Sequence, residues 1–396
     1  MRIHVYLREF PPAGDKLNSG MIKAVHGLSA GLAHAGARVT VLCDGPMTSV
    51  VQTSSGYDIR CFAYNTSAGA SPAIPKGLER YIEQCDDPGI FLINGVFNPN
   101  AYLVSRACIR NGIPYVLAPH DPYHPTIFSQ NRHLKWPYWY LRERPMLRQA
   151  RAIQVLDFRH AEWLRRLGIQ TPIIEVLNGF APEDVHPESV LNWRSEGAPK
   201  LLYLGRIDYH NKGLDILLDA FSQITDKTDA RLTLQGPDWG DKDAMIRRAN
   251  KLKLGTRVQF CDPDFNKLSA LISAEHDVFL LPSRFEGFGL SALEAMLAGR
   301  PVLVSDVAGI APHVRASGGG VVISSDVNHV KAGMLELLSQ RHRWKDMGMA
   351  GREYVLRYLR WERIGAVTLE QYRQIFHPTS PTSDQPASSR TIAAAS

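Results

Sequence analysis

Cysteine is scarce in this chain and nowhere organised. Five occur in 396 residues, at Cys43, Cys61, Cys85, Cys108 and Cys261, and no two have C-x-x-C spacing. An odd, scattered set supports neither a disulfide framework nor a zinc site and fits a reducing compartment. The expected location is the cytoplasm. Long apolar runs are also missing, and nothing approaches the roughly 20 residues that a membrane-spanning helix requires. The opening MRIHVYL leads into a charged, proline-bearing stretch. It reads as a first buried strand and not as a signal peptide. Charge of either sign is nearly balanced: 45 Lys and Arg against 39 Asp and Glu leave +6. That mild excess favours anionic partners such as nucleotides or phosphates and does not imply nucleic acid. No G-x-G-x-x-G follows the first strand, which argues against a dinucleotide oxidoreductase.

What is present is length and alternation. A chain of 396 residues exceeds one ordinary core, so two domains are expected. Short apolar runs at 3–7, 39–42, 90–93, 115–118, 153–155 and 173–176 read as strands. Helical spacing lies between them at 21–35, with Ile22, Val25, Leu28 and Leu32 on one face, and at 101–110. After a Pro-, Asn- and Gly-bearing stretch the pattern restarts. Strands are expected at 201–204, 231–234, 258–260, 278–281 and 302–304, and helices at 214–224 and 290–298. Two more helices are expected at 343–358 and 361–376. Strands separated by helices imply right-handed crossovers and parallel sheets. The fold class is therefore α/β, with two doubly wound Rossmann-like domains facing across a cleft. Ligands of such sheets sit beyond the carboxyl ends of the strands.

Two stretches at such ends carry chemistry. Gly205-Arg206-Ile207-Asp208-Tyr209-His210-Asn211-Lys212-Gly213 follows one strand and opens a helix. A lone arginine or lysine is usually a solvated side chain. Here two cations flank a helix N-terminus, whose free N–H groups and partial positive charge suit a diphosphate. Pro282-Ser283-Arg284-Phe285-Glu286-Gly287-Phe288-Gly289-Leu290 follows another strand, with Glu294 on the next helix. A loop carboxylate can accept from sugar hydroxyls, and a second one can hold a ribose. The backbone N–H groups of Phe288, Gly289 and Leu290 lie where a phosphate could receive them.

Together these stretches, G-R-I-D-x-x-x-K-G and L-P-S-R-F-E-G-F-G-L-S-A-L-E-A-M-L-A-G-R-P-V, resemble the group 1 (family four) retaining glycosyltransferases of GT-B fold. Asn178-Gly179 at a crossover, Gly236 after a strand and Trp361 at a final helix extend the likeness over most of the chain. The resemblance implies that Arg206 and Lys212 bind the donor diphosphate, Glu286 the donor sugar and Glu294 the ribose, with Gly287, Phe288, Gly289 and Leu290 lining the donor site. It implies an N-terminal acceptor-side domain over 1–178, completed by a returning helix at about 360–377. A linker at 179–199 and a nucleotide-sugar donor domain at 200–359 follow, and 378–396 is expected to lack fixed structure. His120, in A-P-H-D-P-Y, takes the place of a family histidine near the donor sugar. Asp121 stands where that family usually has glycine. Ser19 and Gly20 stand where paired glycines are common and are expected to line the cleft.

The expected function is transfer of a sugar from a nucleotide diphosphate to a glycan, lipid-linked or small-molecule acceptor. A sugar-nucleotide epimerase of the same fold and a non-catalytic nucleotide-sugar-binding subunit stay open as alternatives. No cofactor and no metal are expected. The strings Asp241-Lys242-Asp243 and Asp262-Pro263-Asp264 read as helix caps or turns. The segment 132–151 holds Arg132, Lys135, Arg142, Arg144, Arg148 and Arg151 among Trp136, Tyr138, Trp139 and Tyr140. Arg144, Arg148 and Arg151 would share one helical face. That composition suits peripheral docking on an anionic membrane face.

Overall fold

The computed structural model describes residues 1–11, 19–64, 73–85, 87–120, 123–129, 131–194 and 196–376. The 378–396 tail lies outside them. Two sheets organise the chain. The first contains β1 (Arg2–Tyr6), β2 (Arg38–Gly45), β3 (Ser49–Gln52), β4 (Asp58–Ala63), β5 (Ile90–Asn94), β6 (Tyr115–Ala118), β7 (Ala152–Val155) and β8 (Ile173–Glu175). Its order is β3-β4-β2-β1-β5-β6-β7-β8. All neighbours are parallel except β3 with β4. The second contains β9 (Lys200–Leu204), β10 (Arg231–Gln235), β11 (Val258–Cys261), β12 (Val278–Leu281), β13 (Val302–Ser305) and β14 (Gly320–Ile323). It is parallel throughout, in the order β11-β10-β9-β12-β13-β14.

The central strands β1, β9 and β12 are buried on both faces, as helix-covered parallel sheets require. Ile3, Val5, Leu201, Leu202, Phe279 and Leu280 are at most 1% exposed. Strand order reverses between β1 and β5 in the first sheet and between β9 and β12 in the second. Loops leaving two neighbouring strands in opposite directions open a crevice there. In the second domain those are the two loops that carry Arg206, Lys212 and Glu286.

The chain crosses between domains twice, and the crossings are bonded to each other. Phe180 N donates to Leu359 O at 3.0 Å, and Trp361 N donates to Phe180 O at 3.3 Å. The helix Trp361–Phe376 then returns to the first domain. Its Trp361, Ile364, Leu369 and Tyr372 share a core with Val25, Leu28 and Leu32 of the helix Gly20–His34. The stretch before β9 is more than a linker. Leu191 is buried against Ala270 and Ala298. Trp193 Nε1 donates to Gly299 O at 3.0 Å, and Arg194 pairs with Asp277. These contacts make it part of the second domain. Its Pro and Asn content reflects irregular backbone, not detachment.

Candidate functional site

The loop after β9 is built to hold Lys212. Asp208 caps a single helical turn, Tyr209–Lys212, by accepting from Asn211 N at 3.1 Å and Asn211 Nδ2 at 2.7 Å. Gly213 ends the turn at φ 65°, and a Cβ there would meet Pro282 O at 2.4 Å. Only glycine combines that backbone with that approach. The loop after β12 is thereby zipped to the first: Arg284 N and Phe285 N both donate to Asn211 O, at 2.9 and 3.2 Å. Arg284 also makes two 2.7 Å bonds to Asp215. Burial would raise the Asp215 carboxyl, but the Arg284 bonds outweigh it and hold it below the ordinary value.

This clamp brings Lys212 and Glu286 together. Lys212 Nζ lies 2.7 Å from Glu286 Oε2, which also accepts from Ser283 Oγ at 3.1 Å. Both side chains are 14% exposed, so the pair is only weakly screened. Arg206 is exposed and lies over the ring of Trp239, 4.8 Å from its centroid. The Phe288 side chain is buried, and its carbonyl accepts from Ile310 N at 2.8 Å. The helix Leu290–Leu297 starts at Gly289, and no side chain caps its first N–H groups. Glu294 is buried on that helix.

His120 comes from the other domain, just beyond β6. Its backbone is left-handed, at φ 64°, a conformation histidine enters more readily than most residues. The ring is fixed by Asn94 at the end of β5, with Nε2 2.7 Å from Asn94 Oδ1. Asn94 Nδ2 is committed to Tyr6 O at 3.0 Å. The amide oxygen therefore faces the imidazole, and Nε2 must be the protonated nitrogen. Burial pushes His120 down to about 4, so it is neutral at physiological pH. The His120 carbonyl abuts Gly287, where a Cβ would stand 2.2 Å from the oxygen. His120 thus meets the loop that bears Glu286. Asp121 lies outside the described residues.

Ser19 caps the helix Gly20–His34 by accepting from Ile22 N at 3.2 Å. Gly20 borders Leu290: a Cβ on it would stand 3.3 Å from Leu290 Cδ1. Four supporting residues are not apparent from sequence. Lys23 pairs with Glu294 across the cleft. Asn94 orients His120. Arg159 spans the domains, donating to Asp306 O at 2.7 Å and Ala308 O at 2.9 Å. Glu143 is buried, accepts from Tyr123 Oη at 2.7 Å and Phe97 N at 3.1 Å, and is pushed up to about 7 by burial. It ties the loops after β5 and β6 together. The only sequence signals for these residues are the strand-end position of Asn94 and the charge of Lys23 in a helix's first turn.

The Asp-x-Asp strings have separate local roles. Asp262 pairs with Lys242 at 2.6 Å, and Asp264 accepts from Asn266 N at 2.9 Å. Asp238, not Asp241, collects the N–H groups before the helix Lys242–Lys251, at 2.8, 3.0 and 3.1 Å. The basic segment also departs from expectation. It forms a helix Arg132–Tyr138, a wide turn Trp139–Glu143 and a helix Arg144–Gln149. Ala150 turns extended and ends the helix, so Arg151 does not share a face with Arg144 and Arg148. Trp139 is core at 1% exposure, and Trp136 stacks on Phe128.

The chain is similar in fold to the sucrose-phosphate synthase of Thermosynechococcus elongatus, at a TM-score of 0.75 and 22% identity, covering 95% of this chain and 99% of that one. In sequence it is 29% identical over 184 residues to the D-inositol 3-phosphate glycosyltransferase of Nocardia farcinica, covering 44% of this chain and 40% of that protein. It is 31% identical over 157 residues to the phosphatidyl-myo-inositol mannosyltransferase of Mycobacterium tuberculosis, covering 39% of this chain and 40% of that protein. The match therefore spans less than half the length of either curated relative. The family model for glycosyl transferases group 1 matches residues 191–354, and the model for a glycosyl transferase 4-like domain matches residues 19–179. With two parallel-sheet domains in the GT-B arrangement, the chain belongs to the group 1 glycosyltransferases.

Proposed function

We propose that the chain transfers a sugar from a nucleoside diphosphate to a glycan, lipid-linked or small-molecule acceptor, with retention at the anomeric carbon. The observation that carries this reading is the meeting of His120 with the Gly287 loop, whose Glu286 pairs with Lys212. Arg206, Lys212 and the uncapped start of Leu290–Leu297 hold the diphosphate. Glu286 accepts from hydroxyls of the donor sugar, Glu294 from the ribose, and neutral His120 faces the reacting sugar. The bond from the anomeric carbon to the phosphate oxygen breaks as the acceptor oxygen bonds on the same face. The departing phosphate oxygen takes the acceptor's proton. The protein's part is positioning and stabilising diphosphate charge. No metal is required in this reading, because the cations are supplied by side chains.

Arg206→Ala and Lys212→Ala should each weaken UDP or GDP binding by roughly ten- to a hundredfold, since a charge-assisted bond is worth about 1.5–3 kcal/mol. Arg206→Lys should recover only part, because it loses the planar fork. The titrations are run in chelator. Unchanged affinity in both alanine variants, or binding that needs added magnesium or manganese, would contradict the reading.

A second surface fits the lipid-linked acceptors within this reading. Leu134, Tyr140 and Leu141 are 63, 58 and 72% exposed. Arg132 and Arg148 of the same segment are exposed, and Arg144 lies over the Tyr140 ring. We propose that this face docks on an anionic bilayer, apolar tips in the headgroup region and arginines on lipid phosphates. Each basic residue near such a surface contributes about 1 kcal/mol. The chain should sediment with phosphatidylserine-containing vesicles at low salt and release at high salt. Leu141→Glu with Arg148→Glu should abolish sedimentation. Absence of binding at low salt removes the docking surface.

A further inference from the structure

The helix Gly20–His34 of the first domain begins where the helix Leu290–Leu297 of the second begins, with Gly20 beside Leu290. Within the first turn and a half, Lys23 reaches across, and its Nζ bonds Glu294 Oε1. The partners are 271 residues apart and belong to different domains. A lysine near a helix N-terminus opposes the helix dipole, and that first turn holds no acidic residue to offset it. Burial pulls the Lys23 ammonium down, but the Glu294 charge and hydrogen bond outweigh it, so Lys23 stays above its ordinary value. Glu294 is itself 9% exposed, and an isolated carboxylate so placed would be costly. The pair is therefore the compensation each member needs, and it exists only while the domains are docked.

The bond engages one carboxylate oxygen, Oε1, and orients the other. We propose that Lys23 is a positioning residue for ribose recognition: it holds Glu294 in one orientation from the opposite domain, so that the second carboxylate oxygen accepts a donor ribose hydroxyl. This rests on the donor-site reading of Arg206, Lys212 and Glu294. It makes ribose recognition a property of the docked pair of domains, whereas diphosphate binding belongs to the second domain alone.

The test separates ribose from phosphate. Calorimetric titrations compare three ligands: the better bound of UDP and GDP, its 2′,3′-dideoxy analogue, and inorganic pyrophosphate. Wild type should prefer the ribose form over the dideoxy form by roughly tenfold, the worth of a hydrogen bond to a charged acceptor. Lys23→Met should remove that preference and leave dideoxy nucleotide and pyrophosphate binding unchanged. Unchanged pyrophosphate binding also shows that the variant is folded. Lys23→Arg should keep most of the preference, and Glu294→Gln should lose it with or without Lys23→Met. Equal weakening of all three ligands by Lys23→Met would make Lys23 a phosphate ligand and overturn the proposal. Tighter ribose binding would make it a competitor of the ribose and overturn the proposal equally, and an unaltered preference would leave it no role. Failure of the donor reading looks different: wild type would bind no nucleotide, or Arg206→Ala would leave pyrophosphate binding intact.

Discussion

Replacing His120 with alanine is expected to lower turnover by about two to three orders of magnitude while nucleoside diphosphate affinity moves less than about twofold. Loss of one preorganised hydrogen-bonding group at a reacting centre typically costs about 10²–10³ in rate. In the proposed donor site the diphosphate is held from the other domain, so its affinity should be nearly untouched. A kcat loss with an unchanged nucleotide Kd is the signature of an interaction made at the transition state. The ring is locked before substrate arrives, since Asn94 Oδ1 holds Nε2–H at 2.7 Å and Nδ1 keeps its lone pair. Asn94→Ala should lower turnover in the same direction by freeing the ring. The pH profile carries a sign. An ordinary histidine gains its proton as pH falls through about 6.5, whereas burial delays His120 to about 4. No acid limb from His120 should appear between pH 5.5 and 8. Initial rates and nucleotide titrations on the purified variant decide this. Wild-type turnover in His120→Ala removes it from the reacting centre.

Much of the fold is legible in the sequence because its punctuation is chemical. Tyr115–Ala118, Val278–Leu281 and Trp361–Phe376 match the expected elements to the residue, each being bounded by Gly, Pro or a change of period. The strands β3 and β4 are not visible in that way. Asp58–Ala63 interleaves Asp58 and Arg60 with its apolar residues, and Ser49–Gln52 is a four-residue edge with no apolar face of its own. Strand β14 is also four residues long and is preceded by glycines. In the candidate site, a motif encodes contacts between neighbours in sequence, which is why the Lys212 and Glu286 loops can be read. Lys23 and Asn94 act on partners 271 and 26 residues away. Tertiary packing alone brings them there. The stripe of Arg144, Arg148 and Arg151 fails for a local reason: Ala150 leaves the helix before the third arginine.

Gly287→Ala is expected to lower turnover by about a hundredfold or more while leaving nucleoside diphosphate binding within a few fold of wild type. A Cβ at 287 would stand 2.2 Å from the His120 carbonyl oxygen and 3.1 Å from Leu156 Cδ1. The Leu156 methyl can rotate away. The carbonyl cannot, because it belongs to a backbone already held at φ 64° with its side chain tied to Asn94. The remaining relief is separation of the two domains at this point, by roughly 1 Å to restore ordinary contact. Reacting atoms must approach to about 3–3.5 Å, and a misplacement of about 1 Å can cost about 10²-fold. Chemistry that needs His120 and Glu286 on one sugar should therefore fail, although each domain keeps its own groups. Diphosphate binding in the proposed donor site draws on Arg206, Lys212 and the Leu290–Leu297 helix start, all on the second domain, and should persist. Measuring kcat and nucleotide Kd together, with thermal unfolding to confirm a folded chain, separates closure from binding. A folded Gly287→Ala variant turning over at the wild-type rate would mean that the contact between His120 and Gly287 is not part of the reacting arrangement.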